Sequence, residues 1–155
     1  MRIKIHHRVD GLAVLHCERA DGSVTWQRHP EKNSRFFPPH DLTHYAVETT
    51  LGLHEAFYGL VARGWDLSDF GTPWPRGRLP AEAEVAEFLV GCLHQDCTAE
   101  EMNAQGASFC GETWRTVTND ELTRSRALAQ ELIARWQALP PDGEIVLDFT
   151  LPEEP

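Results

Sequence analysis

The sequence predicts an α+β protein, a small antiparallel sheet packed against three or four helices. The sheet combines an N-terminal meander with a C-terminal strand. Three observations carry this reading. Asp10-Gly11 and Asp21-Gly22 punctuate strand-like runs between Arg2 and His29, and Asp-Gly supplies the positive φ angles that tight hairpin turns need. Helix-start signals precede the apolar-periodic stretches of the middle of the chain. The stretch from Glu144 to Leu151 alternates, with Ile145, Leu147 and Phe149 set against Val146, Asp148 and Thr150.

In the meander, a two-residue turn at Asp21-Gly22 sets Cys17 opposite Trp26 and Leu15 opposite Arg28. One sheet face then carries Leu15, Cys17, Val24 and Trp26. The other carries Ile3, Ile5, His7, Val14, His16 and His29. Both faces are partly apolar, so the pattern leaves open which one the helices cover.

Pro38-Pro39 opens the first helix, because proline fits the first turn, where its missing N–H is not needed. That helix is expected to run to about Arg63, where Gly64 stops it. Trp65 to Leu79 reads as a loop rich in Gly and Pro. Its Trp74, Arg76 and Arg78 suit either an anion-binding lid or a plain connection whose Trp packs on the core. Pro80 starts the next helix, with Val85, Phe88, Leu89, Cys92 and Leu93 as its apolar stripe. Thr98-x-x-Glu101 and Thr118-x-x-Glu121 are capping boxes for two more. Gly106 to Thr116 is expected to be irregular. The helix after Thr118 ends at Pro140-Pro141-Asp142-Gly143.

A chain of 155 residues is one domain, 1–155, by length, and large enough to bury a core without staples. Lys plus Arg is 14 and Asp plus Glu is 24, a net charge of -10. Such a surface repels phosphate backbones and anionic membranes. It suits a small molecule or a basic protein partner. No apolar run reaches transmembrane length. Met1 to Arg8 lacks the apolar stretch of a signal peptide, so the expected location is cytoplasmic, with Cys17, Cys92, Cys97 and Cys110 as thiols. Cys92, His94 and Cys97 offer metal-ligand chemistry, but Cys92 falls on an apolar stripe, where an inert buried thiol is the simpler reading. The chain carries no Gly-rich phosphate loop and no nucleophile motif.

Seven of the 8 His lie between His6 and His54. On the first helix, at about 100° per residue, Leu42, Tyr45, Ala46, Thr49, Leu53, Ala56, Phe57 and Leu60 form a core stripe. His40, His44, Glu48 and Glu55 lie opposite, with Val47, Leu51 and Tyr58 among them. Gly52 and Gly59 stack on a flank, where another backbone can come close. Residues four apart are helix neighbours, so His40 and His44 can converge on one ion, with Glu48 one turn on. His–His–carboxylate suits zinc or another divalent transition metal. In His40-Asp41-Leu42-Thr43-His44, Asp41 takes the place that a general-base Glu holds in a helical HExxH, one methylene short. Its acid is also explained by the positive end of the helix dipole. A polar stripe opposite a core stripe is what any surface helix shows. Here the apolar residues among the polar ones imply that something covers this face.

Pro38-Pro39-His40-Asp41-Leu42-Thr43-His44-Tyr45-Ala46-Val47-Glu48 resembles a segment of small uncharacterised bacterial proteins. The resemblance covers this segment and implies no activity. Two functional readings stand. One is a metal-binding protein, suited to hydrolysis, with His40, His44 and Glu48 as ligands and Asp41 as the catalytic base. The other is a non-enzymatic binding or regulatory module whose acidic surface meets a protein partner.

Overall fold

In the computed structural model, which describes residues 1–152, a four-stranded antiparallel sheet lies against five helices. The strands are β1 (Arg2–His7), β2 (Ala13–Glu18), β3 (Val24–His29) and β4 (Glu144–Asp148), in the order β3-β2-β1-β4. The helices are α1 (Phe37–Leu51), α2 (Phe57–Ala62), α3 (Ala81–Leu93), α4 (Ala99–Cys110) and α5 (Asn119–Gln137). The C-terminal strand joins the meander at β1, as its alternation predicts.

The Asp21-Gly22 hairpin differs from the expected two-residue turn, and the Asp10-Gly11 hairpin has the same longer loop. Arg8 N–H donates to Leu12 O, and Arg19 N–H donates to Ser23 O, so each loop holds three residues. Gly11 and Gly22 take φ near +80° (+81° and +82°), the left-handed place that closes such a loop with a bulge. The extra residue moves the β2–β3 register by one. Cys17 faces Thr25, not Trp26, and Leu15 faces Gln27, not Arg28. Because side chains alternate, that slip turns Trp26 out and Thr25 in. Ile3 and Ile5 share the buried face with Leu15, Cys17, Ile145 and Leu147 rather than lying behind them. The outer face exposes Val24, Trp26 and Val146.

The first helix is not continuous to Arg63. Gly52 at φ +66° and ψ +40° ends it, and α2 starts after a short connection. Gly59 is the position that permits this reversal. A Cβ there would overlap the backbone of His54. The expected close approach at a flank glycine is therefore made by the chain itself. Split in this way, one expected helix becomes two, and the total becomes five.

α1 is buried on more than one side, which a two-faced reading does not capture. Leu42 packs with the sheet residues, Tyr58 and Leu132. Val47 and Leu51 pack with Val85, Leu89, Met102 and Leu122 from α3, α4 and α5. Thr49, expected in the core stripe, is exposed. The two capping boxes form as read, Thr98 with Glu101 and Thr118 with Glu121. α4 continues through Gly106 to Cys110, where irregular structure was expected. Gly106 is tolerated in that helix because the Trp114 ring fills the space beside its Cα. The loop after α2 contains a 3-10 turn at Leu67–Phe70, capped by Asp66 and Asp69.

All four cysteines are free. Burial pushes the Cys17 thiol up to about 12 and the Cys92 thiol to about 11, so neither is a ready nucleophile at neutral pH. No helix among the described residues is long and apolar enough to cross a membrane.

Gly59→Ala forces a methyl into the His54 backbone and should destabilise the fold by about 1–3 kcal/mol, as overpacking does. Gly91→Ala, where nothing lies within 4 Å of the added carbon, should leave the urea midpoint unchanged or raised. Equal midpoints for the two variants would contradict the close approach.

Candidate metal centre

The site begins on α1. Phe37, Pro38 and Pro39 form its first turn, and His40, Asp41 and His44 follow on the side that meets β3, α3 and the loop after α2. These side chains line an open cleft of about 520 Å³, walled by Phe37, Phe57, Phe70 and Trp74. The stripe expected to be covered is covered in part, with His40 half-buried and Glu55 exposed. His44 is 3% exposed and Glu48 0%.

His40, His44 and Glu87 come together at the cleft wall. One ligand atom from each lies within 4.8 Å of the others. His44 Nε2 is 3.0 Å from Glu87 Oε1, and His40 Nε2 is 3.9 Å from Glu87 Oε2. The two imidazoles meet edge to face at 4.8 Å, as the i, i+4 spacing requires.

Glu48, expected as the third ligand, points elsewhere. Its Oε2 accepts the backbone N–H groups of Tyr58 at 2.9 Å and Gly59 at 3.2 Å. These belong to the first turn of α2, whose N-cap, Ala56, offers no side-chain acceptor. Glu48 supplies that cap from the preceding helix. Its Oε1 lies 3.2 Å from His44 Nδ1. Glu48 therefore sits behind His44, and the carboxylate in front is Glu87. Sequence reasoning missed Glu87 because it lies on α3, 43 positions after His44, on a flank that reads as ordinary solvated helix. Only the packing of α3 on α1 brings it over.

Asp41 also has an unexpected partner. Its Oδ2 lies 2.8 Å from His29 Nε2, in a buried pair at the end of β3. The His29 ring stacks on Phe37 at 4.7 Å. His29 Nδ1 is buried without a protein partner. Both residues line the same cleft as His40, His44 and Glu87. The corrected β-register is what turns His29 inward.

The electrostatics follow from this placement. Burial opposes a charge on His44, but the hydrogen bonds to Glu48 and Glu87 outweigh it and raise the ring to about 9. Burial, and then the neighbouring charge of His44, lower His40 below its usual value. The hydrogen bond from His44 holds Glu87 below the usual carboxylate range. Burial pushes Glu48 up, against the pull of His44 and the two amides. At neutral pH His44 is thus a proton-bearing ring between two acids, and His40 is a neutral donor beside it.

The arginines of the loop after α2 do not enter the cleft. Arg76 is tied to Asp69 at 3.1 Å and to the Gly64 carbonyl at 3.0 Å. Arg78 pairs with Glu84 at 3.3 Å. Neither guanidinium lines the cleft, so the loop presents Trp74 there and not its arginines. Trp74, half-exposed, reaches the cleft mouth.

Two outcomes are expected of the metal-free protein. Glu48→Ala strips an acceptor from two buried amides and from His44 and should cost about 3–5 kcal/mol by chemical denaturation. A loss below about 1 kcal/mol would deny Glu48 this role. The raised His44 value also fixes a sign. Its contribution to stability is fully present below the unfolded value of 6.5 and is lost as pH rises through about 9. The urea midpoint should therefore fall across that window, and His44→Gln should flatten the fall.

No family model matches the chain, and no curated protein or solved structure matches it either.

Proposed function

We propose that the protein binds a divalent transition metal, zinc first, through His40, His44 and Glu87, in a centre suited to hydrolysis. One observation carries the reading. Two imidazoles and a carboxylate converge at the wall of an open cleft, and a second, fully buried carboxylate stands behind one imidazole. In a tetrahedral zinc shell, ligand atoms lie about 3.3 Å apart, given bonds of about 2.0–2.1 Å. One ligand atom from each of the three residues lies within 4.8 Å of the others, a spacing that small side-chain rotations close to that value. A ligating His ordinarily donates its other N–H to a carboxylate, which fixes the tautomer and the ring plane. Glu48 does this for His44 Nδ1, leaving Nε2 toward Glu87 and the cleft.

Three protein ligands leave a fourth position for water or substrate, the mark of catalytic rather than structural zinc sites. When bound there, the metal supplies Lewis acidity and an acidified water. The chain's own groups do the rest. His40 and His44 fix the ion, and Glu48 holds His44 in the ligating tautomer. Asp41, braced by His29 in the same cleft, is the group we assign to proton uptake. The aromatic walls limit access of bulk water.

Binding requires a neutral His44, so the metal has to displace the proton that ring holds up to about 9. Zinc uptake at pH 7 should release protons, and affinity should climb with pH until about 9. Untagged protein, loaded with zinc and dialysed, should retain one zinc per chain by mass spectrometry. His44→Ala and Glu87→Gln should lose it. Glu48→Gln should weaken binding about 10–100-fold, as loss of an outer partner does. His6→Ala, on the sheet, should bind normally. Wild type without stoichiometric zinc, or Glu87→Gln with wild-type zinc, would overturn the assignment.

A further inference from the structure

We infer that the outer face of the sheet binds a second copy of this chain. The two sheets pack face to face about a twofold axis that runs along the strands, between β1 and β2. The helices cover the other side of the sheet. The outer side leaves Val24, Trp26 and Val146 open to solvent. Trp26, 64% exposed, stands in the middle of β3 at one edge, and Val146 stands on β4 at the opposite edge.

The strand register orders this face into three rows running from β3 to β4. The middle row is Trp26, His16, Lys4 and Val146. On one side of it lie Arg28, Val14, His6 and Glu144, and on the other Val24, Glu18, Arg2 and Asp148. A twofold axis along the strands turns each row end for end onto itself. Trp26 then meets the second copy's Val146, Arg28 meets its Glu144, and Glu18 meets its Arg2. Each of these contacts occurs twice, as a self-complementary interface requires. Val24 falls opposite Asp148, which keeps its own pairing with Arg2 at 3.5 Å. An axis across the strands fits less well, because it sets Glu144 against the second copy's Asp148. Sheets packed in this way keep their strands within about 30° of each other. At the edges, a side chain as long as Arg28 spans the offset that such an angle produces.

Charge selects the partner. With a net charge of -10, two copies of the chain repel each other on average. On the outer face, however, Arg2, Lys4 and Arg28 balance Glu18, Glu144 and Asp148. Two acidic chains can therefore meet there without a like-charge penalty. Among the described residues, Arg28, Glu18 and Glu144 have no side-chain partner within the chain, so a second copy can supply one. Four short strands make a small interface, in the range below about 1,200 Å² in total where transient pairs lie.

Sedimentation equilibrium of the untagged, metal-free chain from about 5 to about 500 µM should show monomer and dimer in exchange, with a dissociation constant on the order of 10 µM. Trp26→Thr keeps a strand-forming residue and should weaken the dimer at least about tenfold. Arg28→Glu and Glu144→Arg should each weaken it, since each sets like charges opposite one another twice. The double variant should bring it back to within about threefold of wild type. All three side chains are exposed in a single copy, so urea midpoints of the dilute variants should match wild type. Were Trp26→Thr to lose its fold, the charge reversal decides alone. A chain that stays monomeric at the highest concentration overturns the inference. So does a dimer that Trp26→Thr leaves intact, or a double reversal that fails to restore what the single ones lost.

Discussion

The buried carboxylate of Glu48 is the point on which the helical half of the structure turns. It accepts two backbone N–H groups that start α2 and meets the Nδ1 of His44 on its own helix. An acid with no solvent exposure is costly to bury, and it persists in folded proteins only when its oxygens are satisfied. Here the satisfaction is shared between a helix end and a side chain. The same group therefore fixes where the chain restarts after Gly52 and how the His44 ring is held.

That arrangement explains why α1 can be buried on so many sides. Toward the sheet it presents Leu42, and toward α3 and α4 it presents Val47 and Leu51. Most polar groups between these surfaces are buried and find a partner within the protein. Thr43 uses the Pro39 carbonyl one turn back. Asp41 uses His29 from the sheet, and Glu48 uses α2. His44 and His40 meet Glu87 from α3. The cleft opens where β3, α1, α3 and the loop after α2 converge without filling the space. The His40–His44–Glu87 cluster, the Asp41–His29 pair and the aromatic wall all border that imperfect closure.

Hydrogen-bond capacity sets the chemistry of the pair of acids around His44. With no ion present, the protonated ring answers both acids, Nδ1–H toward Glu48 and Nε2–H toward Glu87. A divalent cation in front of Nε2 would take the place of that proton toward Glu87 and leave the Nδ1–H toward Glu48 intact. On the proposal above, the same geometry would serve a proton or a metal, with pH deciding between them.

Local chemistry by itself determined a good deal. The capping boxes at Thr98 and Thr118, the helix start at Pro80 and the alternating final strand are short-range signals, and each forms where it is read. The pairing of His40 with His44 is equally local, since it depends only on helical spacing. What the sequence could not determine depended on one extra residue or on distant packing. A three-residue rather than two-residue loop at Ala20 to Gly22 put Thr25 and His29, not Val24 and Trp26, on the buried face of Leu15 and Cys17. The break at Gly52 could not be seen in periodicity, because α2 resumes a helical pattern after it. Glu87 replaced Glu48 in front of His44 because α3 lies across α1, and no spacing within either helix records that crossing. Tertiary structure decided which acid faces the cleft, for a physical reason: the buried N-terminus of α2 lacked a cap of its own, and Glu48 was the acceptor within reach.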